Sequence, residues 1–569
     1  MRQAITARAH PTSAGYRLGP RVRAAAATQP YRRRRGDPAH RPLRIYAVDP
    51  ELPESDGGVA TLNVPWEPLD PGPSGALLVV DGFDRVSGAR YLPADLEAPE
   101  AGAPGGRAPS VDDPRFHQQM AYAVASHVYA AFTRALGRTP SFAVRAGHAG
   151  RARLRIVPFG ARGVTGWYDR ARGEIVLGYA RRKDGHAFAA LSHDIVAHEM
   201  CHALVDGLRA RFDVPMNPDV PALHEALADL VALFSRFGCA ALVERAFRRT
   251  GSDLRRAAAL AAIARQAAGS RHRALRSALG RRGAPRVYDA ALPPHRLGAV
   301  LVGAVYDAFV EVFERKTAQY VQLAGGGRAP VPGTLAAILA RECGALARQF
   351  QALCIRAIDY CPPADVELGE FLRAVVTADR DLVPDDAWGY RRAWIDAFRR
   401  RGIHPPGVAI EAGEEAIAWA PPDTPLPRAE TLRVAALRFG GDPAQPAGPD
   451  ELERQAHAVG ALVTGPGGAW RFGLEAPGRR GNTIAGLPVV ESVRALRREA
   501  PDGRTRLDLV AEVTQEIAVD EGRGRVVLVG GSTIVIGPDG EVRCVIRKGT
   551  WNAERRASRL AYVRSRTGV

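Results

Sequence analysis

Residues 194–207 read DIVAHEMCHALVDG, and this stretch decides how the rest of the chain is read. Ile195, Val196, Ala197, Met200, Cys201, Ala203, Leu204 and Val205 make it apolar nearly all round, the pattern of a buried helix, predicted over Ser192–Leu208. Three side chains break that pattern: His198, Glu199 and His202. Residues four apart stand on one helical face, one turn apart, so both imidazoles can converge on one ion with Glu199 beside them. A buried helix pays heavily for such groups unless something partners them.

The next helix supplies candidates. Predicted over Pro221–Phe237, it carries HEALAD, with Glu225 downstream of His202 and Asp229 one turn further on. An antiparallel neighbour can present Glu225 as a third ligand, completing the two-His, one-Glu set of a catalytic zinc ion that keeps a position open for water. Asp229 can then accept the second ring N–H of a ligand histidine and fix its tautomer. The alternative places His198 and His202 in an ordinary buried helix and Glu225 and Asp229 on a solvated face, and the apolar surroundings weigh against it. His224 could compete as a ligand, but it points about 100° away from Glu225 on the same helix and is preferred as a surface or supporting residue. His186 and His193 read as polar loop or helix-start residues.

Outward from this centre, residues 1–40 are Arg-, Ala- and Pro-rich without periodicity and are expected to be a disordered basic tail. Residues 41–112 read as a strand-rich segment and linker, with LRIYAVDP, GVATLNVPW and GALLVVDGFD as strands. Residues 113–215 read as an α/β lobe. It holds a helix from Phe116 to Leu136 stopping at Gly137, strand candidates in SFAVRAG, ARLRIVPF and GWYDRARGEIVLGYA, and the HExxH helix. Residues 216–405 read as a helical lobe, with helices over Ser252–Ala267, Leu297–Ala318, Thr334–Ile358, Glu367–Asp379 and Asp385–Arg400. After WAPPDTPLP, residues 425–569 read as an accessory α/β or mainly β domain. It has an extended TLRVAALRF, a helix at 450–461 and strands turning at Pro538-Asp539-Gly540.

With these residues in place, the segment from about Asp113 to Ile403 resembles the thermolysin-like gluzincin metallopeptidases, through its HExxH, the downstream ExxxD and the flanking DIVAHE and HALVDG text. The resemblance implies an α+β fold: a mixed-sheet N-terminal lobe and a helical C-terminal lobe with a Zn2+ site at the floor of the cleft between them, here followed by an additional mainly β C-terminal domain. It implies His198, His202 and Glu225 as zinc ligands, Glu199 as the base and Asp229 as the carboxylate behind a ligand. In YDAALPPHRLGAVLVGAVYDAF it points to His295 as an oxyanion donor with Asp289 as its orienter, the other reading being a loop histidine after two prolines. It implies that Thr165, Gly166 and Trp167 pair with substrate backbone, although TGWYD stands where the family carries an Asn-Ala pair, and Ala203–His224 lacks the family's tyrosine. No acidic cluster suggests the family's calcium sites.

The expected activity is hydrolysis of peptide bonds, in an endopeptidase or peptidase, with a peptide or protein as partner. The alternative is a weak or inactive metallopeptidase-like module that binds peptides or proteins. The net charge of +17 comes mainly from arginines spread along the whole chain, with one dense run at Arg32–Arg35, and no basic repeat or finger spacing points to nucleic acid. The six cysteines form no CxxC pair and are expected to be reduced and buried. The N-terminus lacks an apolar signal region and no stretch reads as a membrane span, so the expected location is cytoplasmic.

Overall fold

The computed structural model describes residues 15–50, 58–98, 105–144, 150–183, 185–257, 260, 262–263, 276–277, 286–328, 330–439, 442–466, 468–499, 503, 505–520, 525–549 and 553–567. Apolar periodicity builds three parts, a mixed-sheet lobe, a helical lobe and a mainly β domain; the two lobes share one core that reaches the β domain, which also has a core of its own. No single helix among the described residues is long and apolar enough to cross a membrane.

The chain enters through β1 (Arg17–Leu18) and a short helix α1 (Arg21–Ala24). These lie in the predicted disordered tail, and the expectation fails there for a tertiary reason. The backbone of Arg17 and Leu18 pairs with Val489 and Val490 far along the chain, and Val22 is buried among residues of the C-terminal domain. Residues 1–14 lie outside the described set. A hairpin of β2 (His40–Tyr46) and β3 (Val59–Pro65) follows, then β4 (Leu78–Val80). Helix α2 (Pro114–Leu136) starts where Asp113 accepts from Arg115 N–H and stops at Gly137 in the left-handed region, as the sequence predicts.

A five-stranded sheet joins β4 to β5 (Leu154–Arg162), β7 (Glu174–Arg182) and β6 (Gly166–Asp169), with β8 (Gly185–Phe188) also on β7. β6 pairs antiparallel with β7, Gly166 opposite Leu177 and Asp169 opposite Glu174, and its other side is a sheet edge. The strand predicted in SFAVRAG does not form over residues 141–144, where Phe142 N–H is taken by the Thr28 hydroxyl; residues 145–147 lie outside the described set.

Helix α3 (His193–Leu208) then crosses under the sheet, and α4 (Asp219–Arg236) packs against it. The helical lobe continues with α5 (Ala240–Thr250), α6 (Pro294–Leu323), α7 (Gly333–Ala357), α8 (Leu368–Leu382) and α9 (Tyr390–Arg400). The helix expected over Ser252–Ala267 is corrected at 254–256 and 262–263, while Leu260 is helical and residues 258–259, 261 and 264–267 lie outside the described set. Leu254–Arg256 is a single tight turn capped by Asp253, and β9 (Ala262–Ile263) pairs with β10 (Arg276–Ser277). Leu254, Ala257 and Leu260 are buried, a spacing of three that turns satisfy as well as a helix does.

The C-terminal domain contributes α10 (Pro449–Thr464), β11 (Gly478–Arg480), β12 (Thr483–Ala485), β13 (Val489–Glu499), β14 (Thr505–Asp520), β15 (Arg525–Ile536), β16 (Val542–Lys548) and α11 (Ala553–Thr567). TLRVAALRF, expected to be extended, forms two tight turns, because Ala429 N–H and Val434 N–H bond Gly540 O and Pro538 O and wrap the chain round the β15–β16 turn. One face of this sheet carries Val493, Ala511 and Ile534 against Ala456 and Val459 of α10. Leu496, Val510, Val535 and Ile546 belong instead to the core shared with the helical lobe.

Buried ion pairs stitch that seam. Arg138 makes a two-pronged bond to Asp359 at 2.8 Å, and Arg209 donates to Cys361 O, Pro362 O and Thr533 Oγ1 beside Glu512. Removing one partner of such a pair strands the other without water. All six cysteines are buried thiols, as expected.

Candidate metal centre

α3 and α4 run antiparallel, so a residue one turn later on α3 faces one about a turn earlier on α4. His198 therefore meets Asp229, its Nδ1 donating to Oδ1 at 2.9 Å, and His202 meets the His224–Glu225 pair. The ring nitrogens not used in these bonds point at each other: His198 Nε2 and His202 Nε2 are 3.0 Å apart. The Glu225 carboxylate completes the group, its Oε2 3.3 Å from His198 Nε2 and its Oε1 3.9 Å from His202 Nε2, with one ligand atom of each residue within 4.8 Å of the others. Ligands about 2.05 Å from a tetrahedral zinc ion lie about 3.3 Å from one another, and the three observed separations bracket that spacing. The set His198, His202 and Glu225 thus fits a metal ion by donor type and by spacing.

The electrostatics agree. Burial opposes a charge on His198, but the Asp229 and Glu225 carboxylates outweigh it and hold its proton up to about 10. Burial likewise opposes ionisation of Glu225, yet His198, His295 and His202 hold its carboxyl far below the ordinary range. Two imidazoles facing each other across 3.0 Å, with the Glu225 carboxylate beside their Nε2 atoms and Asp229 behind His198, form a site suited to a cation.

Of the two places expected for His224, surface or supporting, the structure gives the supporting one. Its Nδ1 lies 3.2 Å from His202 Nδ1, the two rings stack with centroids 5.4 Å apart, and burial lowers its pKa. It stands behind His202 as Asp229 stands behind His198. The antiparallel register carried the signal: the neighbour of His202 has to lie about one turn before Asp229.

Above these groups is a cleft of about 600 Å³. Glu199, buried on α3, lines it next to the metal set, and β6 forms one wall with Thr165, Gly166, Trp167 and Tyr168. Gly166 is required here by close approach. A Cβ on it would come 2.8 Å from Ile195 Cγ2 and 3.1 Å from Glu199 Cγ. Asp206, at the end of α3, ties the wall in place: Tyr168 donates to it at 2.9 Å, and Arg21 and Arg170 lie 3.0 and 3.2 Å from its Oδ1.

His295 enters from the first turn of α6. Gly298, one turn on, lets α6 approach α4 so closely that a Cβ there would lie 2.7 Å from Ala222 O. This packing brings His295 Nδ1 to 2.9 Å from Glu225 Oε2, with more than half of its side chain open to the cleft. Asp289 is not joined to it. The Asp289 carboxylate accepts from Ala291 N–H at 2.9 Å and shapes the loop before α6, and the partner of His295 is Glu225. The expected Asp289–His295 pairing is thereby corrected.

No family model matches the chain, and no curated protein matches it. The cluster and the two-lobed architecture are consistent with a metal-dependent hydrolase in general terms.

Proposed function

We propose that this chain is a zinc-dependent peptidase of the thermolysin-like, gluzincin type, with Zn2+ held by His198, His202 and Glu225. The observation that carries the reading is the convergence of three ligand atoms at the floor of a cleft that also holds Glu199 and one open strand edge. Zinc bound there would supply Lewis-acid polarisation of a carbonyl and a more acidic water. The residues of the chain do the rest. The free edge of β6, at the backbone of Gly166 and Tyr168, hydrogen-bonds an extended peptide as an added antiparallel strand, reading backbone rather than sequence, while Thr165, whose N–H and carbonyl are taken by Gly163 and Gly178, and Trp167 line the wall. Glu199 accepts a proton from the attacking water and returns it to the leaving nitrogen. His295, exposed to the cleft, stabilises the oxyanion as it forms, and Glu225 fixes its ring in the role first expected of Asp289. Asp229 and His224 orient the two ligand imidazoles.

The test is Glu199→Gln. The parent is expected to bind about one zinc ion and to cleave members of a broad peptide library, and the variant to keep the metal and lose cleavage. Cleavage by the variant at the parent's rate would refute the assignment of Glu199.

A further inference from the structure

Beside the cleft lies a second, wider groove of about 930 Å³ whose lining includes Arg151, Arg153, Arg155, Arg170 and Arg172 and no acidic residue. All five arginines are exposed. Arg151, Arg153 and Arg155 alternate with buried Ala152 and Leu154, so their side chains share one face. Arg155 N–H bonds Gly173 O, which sets this row against the turn that follows β6. Among the described residues neither Arg151 nor Arg155 has an ion-pair partner, and Arg153 reaches only Ser74 Oγ, at 3.4 Å. Arg172 is 3.7 Å from Glu174, a carboxylate already held in two-pronged fashion by Arg85. Arg172 also lies 3.8 Å from Asp169, and Arg170 pairs with Asp206 and Asp213, so the cationic charge left unanswered among the described residues is that of Arg151, Arg153 and Arg155.

The groove adjoins the cleft at Arg170, which lines both. Its direction follows from β6. Gly166 sits against Glu199 at the chemical end, and Asp169 leads to the turn that carries Arg170 and Arg172. A peptide added antiparallel to β6 runs the opposite way, so its residues upstream of the scissile bond run toward that turn, which carries Arg170 and Arg172 and against which, on the far side of β7, Arg155 is bonded at Gly173. At about 3.3 Å per residue, the four steps from Gly166 to Arg170 place the contact about three to five residues upstream.

We infer that this groove is a specificity site for an acidic peptide segment, with Asp or Glu three to five residues before the cleaved bond. The inference rests on the peptidase reading and on the substrate direction given above. An acidic peptide is favoured over nucleic acid because the groove opens into a cleft walled by a strand edge, which recognises peptide backbone.

Two peptides differing only in Glu-for-Gln at those three positions measure it. At about twofold per exposed ion pair, kcat/KM for the acidic peptide is expected to be about tenfold higher at low salt and to converge on the neutral one as salt rises. In Arg153→Gln/Arg155→Gln the acidic-to-neutral ratio falls toward one, and in Arg153→Glu/Arg155→Glu it inverts. Arg341→Gln/Arg392→Gln, which removes equal charge at exposed sites elsewhere, leaves the ratio unchanged. A ratio near one in the parent, or an equal fall in the Arg341/Arg392 control, overturns the inference while leaving the peptidase reading intact. Fluorescence anisotropy of the labelled acidic peptide on Glu199→Gln provides the complementary arm. Salt-sensitive binding that is lost with Arg153 and Arg155, together with a parent protein that cleaves no peptide, supports the groove and refutes the peptidase. Tighter binding of a single-stranded oligonucleotide of equal charge assigns the groove to nucleic acid and overturns the inference.

Discussion

Asp229→Asn perturbs the centre with the least change of shape. The carboxylate accepts His198 Nδ1–H at 2.9 Å in a buried setting, so the exchange keeps an acceptor and removes only its charge. Charge-assisted hydrogen bonds are worth about 1.5–3 kcal/mol and neutral ones about 1 kcal/mol, and losing a carboxylate behind a ligand histidine typically weakens metal binding about 10–100-fold. The proton on His198 adjusts this range. Without metal, Asp229 and Glu225 overcome burial and hold that proton up to about 10, so at pH 7 zinc has to displace it. The same carboxylate thus favours both the metal and its competitor. Asp229→Asn weakens both, and its defect is expected to be about tenfold at pH 7 and to widen toward pH 9, where the proton competes less. His224→Ala removes a neutral partner at 3.2 Å from a residue lining the cleft, where water can replace it, and is expected to cost about two- to fivefold. Competition against a fluorescent zinc chelator, at both pH values, gives the affinities. An Asp229→Asn affinity within twofold of the parent at pH 9, or a larger loss from His224→Ala, would refute the reasoning.

Two further predictions concern the walls of the site and the core. Gly166→Ala places a methyl group 2.8 Å from Ile195 and 3.1 Å from Glu199, so it is expected to cost about 1–3 kcal/mol of stability and to lower kcat with zinc content unchanged, read by thermal unfolding and steady-state kinetics. His117 donates from Nε2 to Val111 O at 2.8 Å, its buried Nδ1 has no partner among the described residues, and burial pushes its pKa down to about 4. The unfolded chain binds that proton more readily, so stability is expected to fall by about 3 kcal/mol as pH drops from about 6.5 to 4, and His117→Gln should flatten this slope in urea unfolding.

The parts of this fold that were legible in the sequence are those whose signal is local. Apolar periodicity placed α2, α3, α4 and α6–α9 closely, and the i, i+4 spacing of His198 and His202 with Glu225 and Asp229 on the next helix located the centre. What escaped depends on distant partners. Arg17 and Leu18 are ordered because β13 offers them a free edge, and residues 431–437 turn because they wrap a hairpin a hundred residues away. Asp289 was paired with His295 by proximity in the chain, whereas the close contact of Gly298 with α4 gives that histidine to Glu225. The arginine groove was invisible in a composition that is arginine-rich throughout, because only the fold collects residues 151–155 and 170–172 on one side of the cleft.

The central claim is that one zinc ion sits among His198 Nε2, His202 Nε2 and a Glu225 carboxylate oxygen. Anomalous diffraction from crystals of the zinc-loaded protein, recorded on both sides of the zinc absorption edge, tests it directly. A single strong peak is expected about 2 Å from each of those three atoms, with Asp229 still bonded to His198. A peak ligated by another set of residues, or no peak at this site in a protein saturated with zinc, would contradict it.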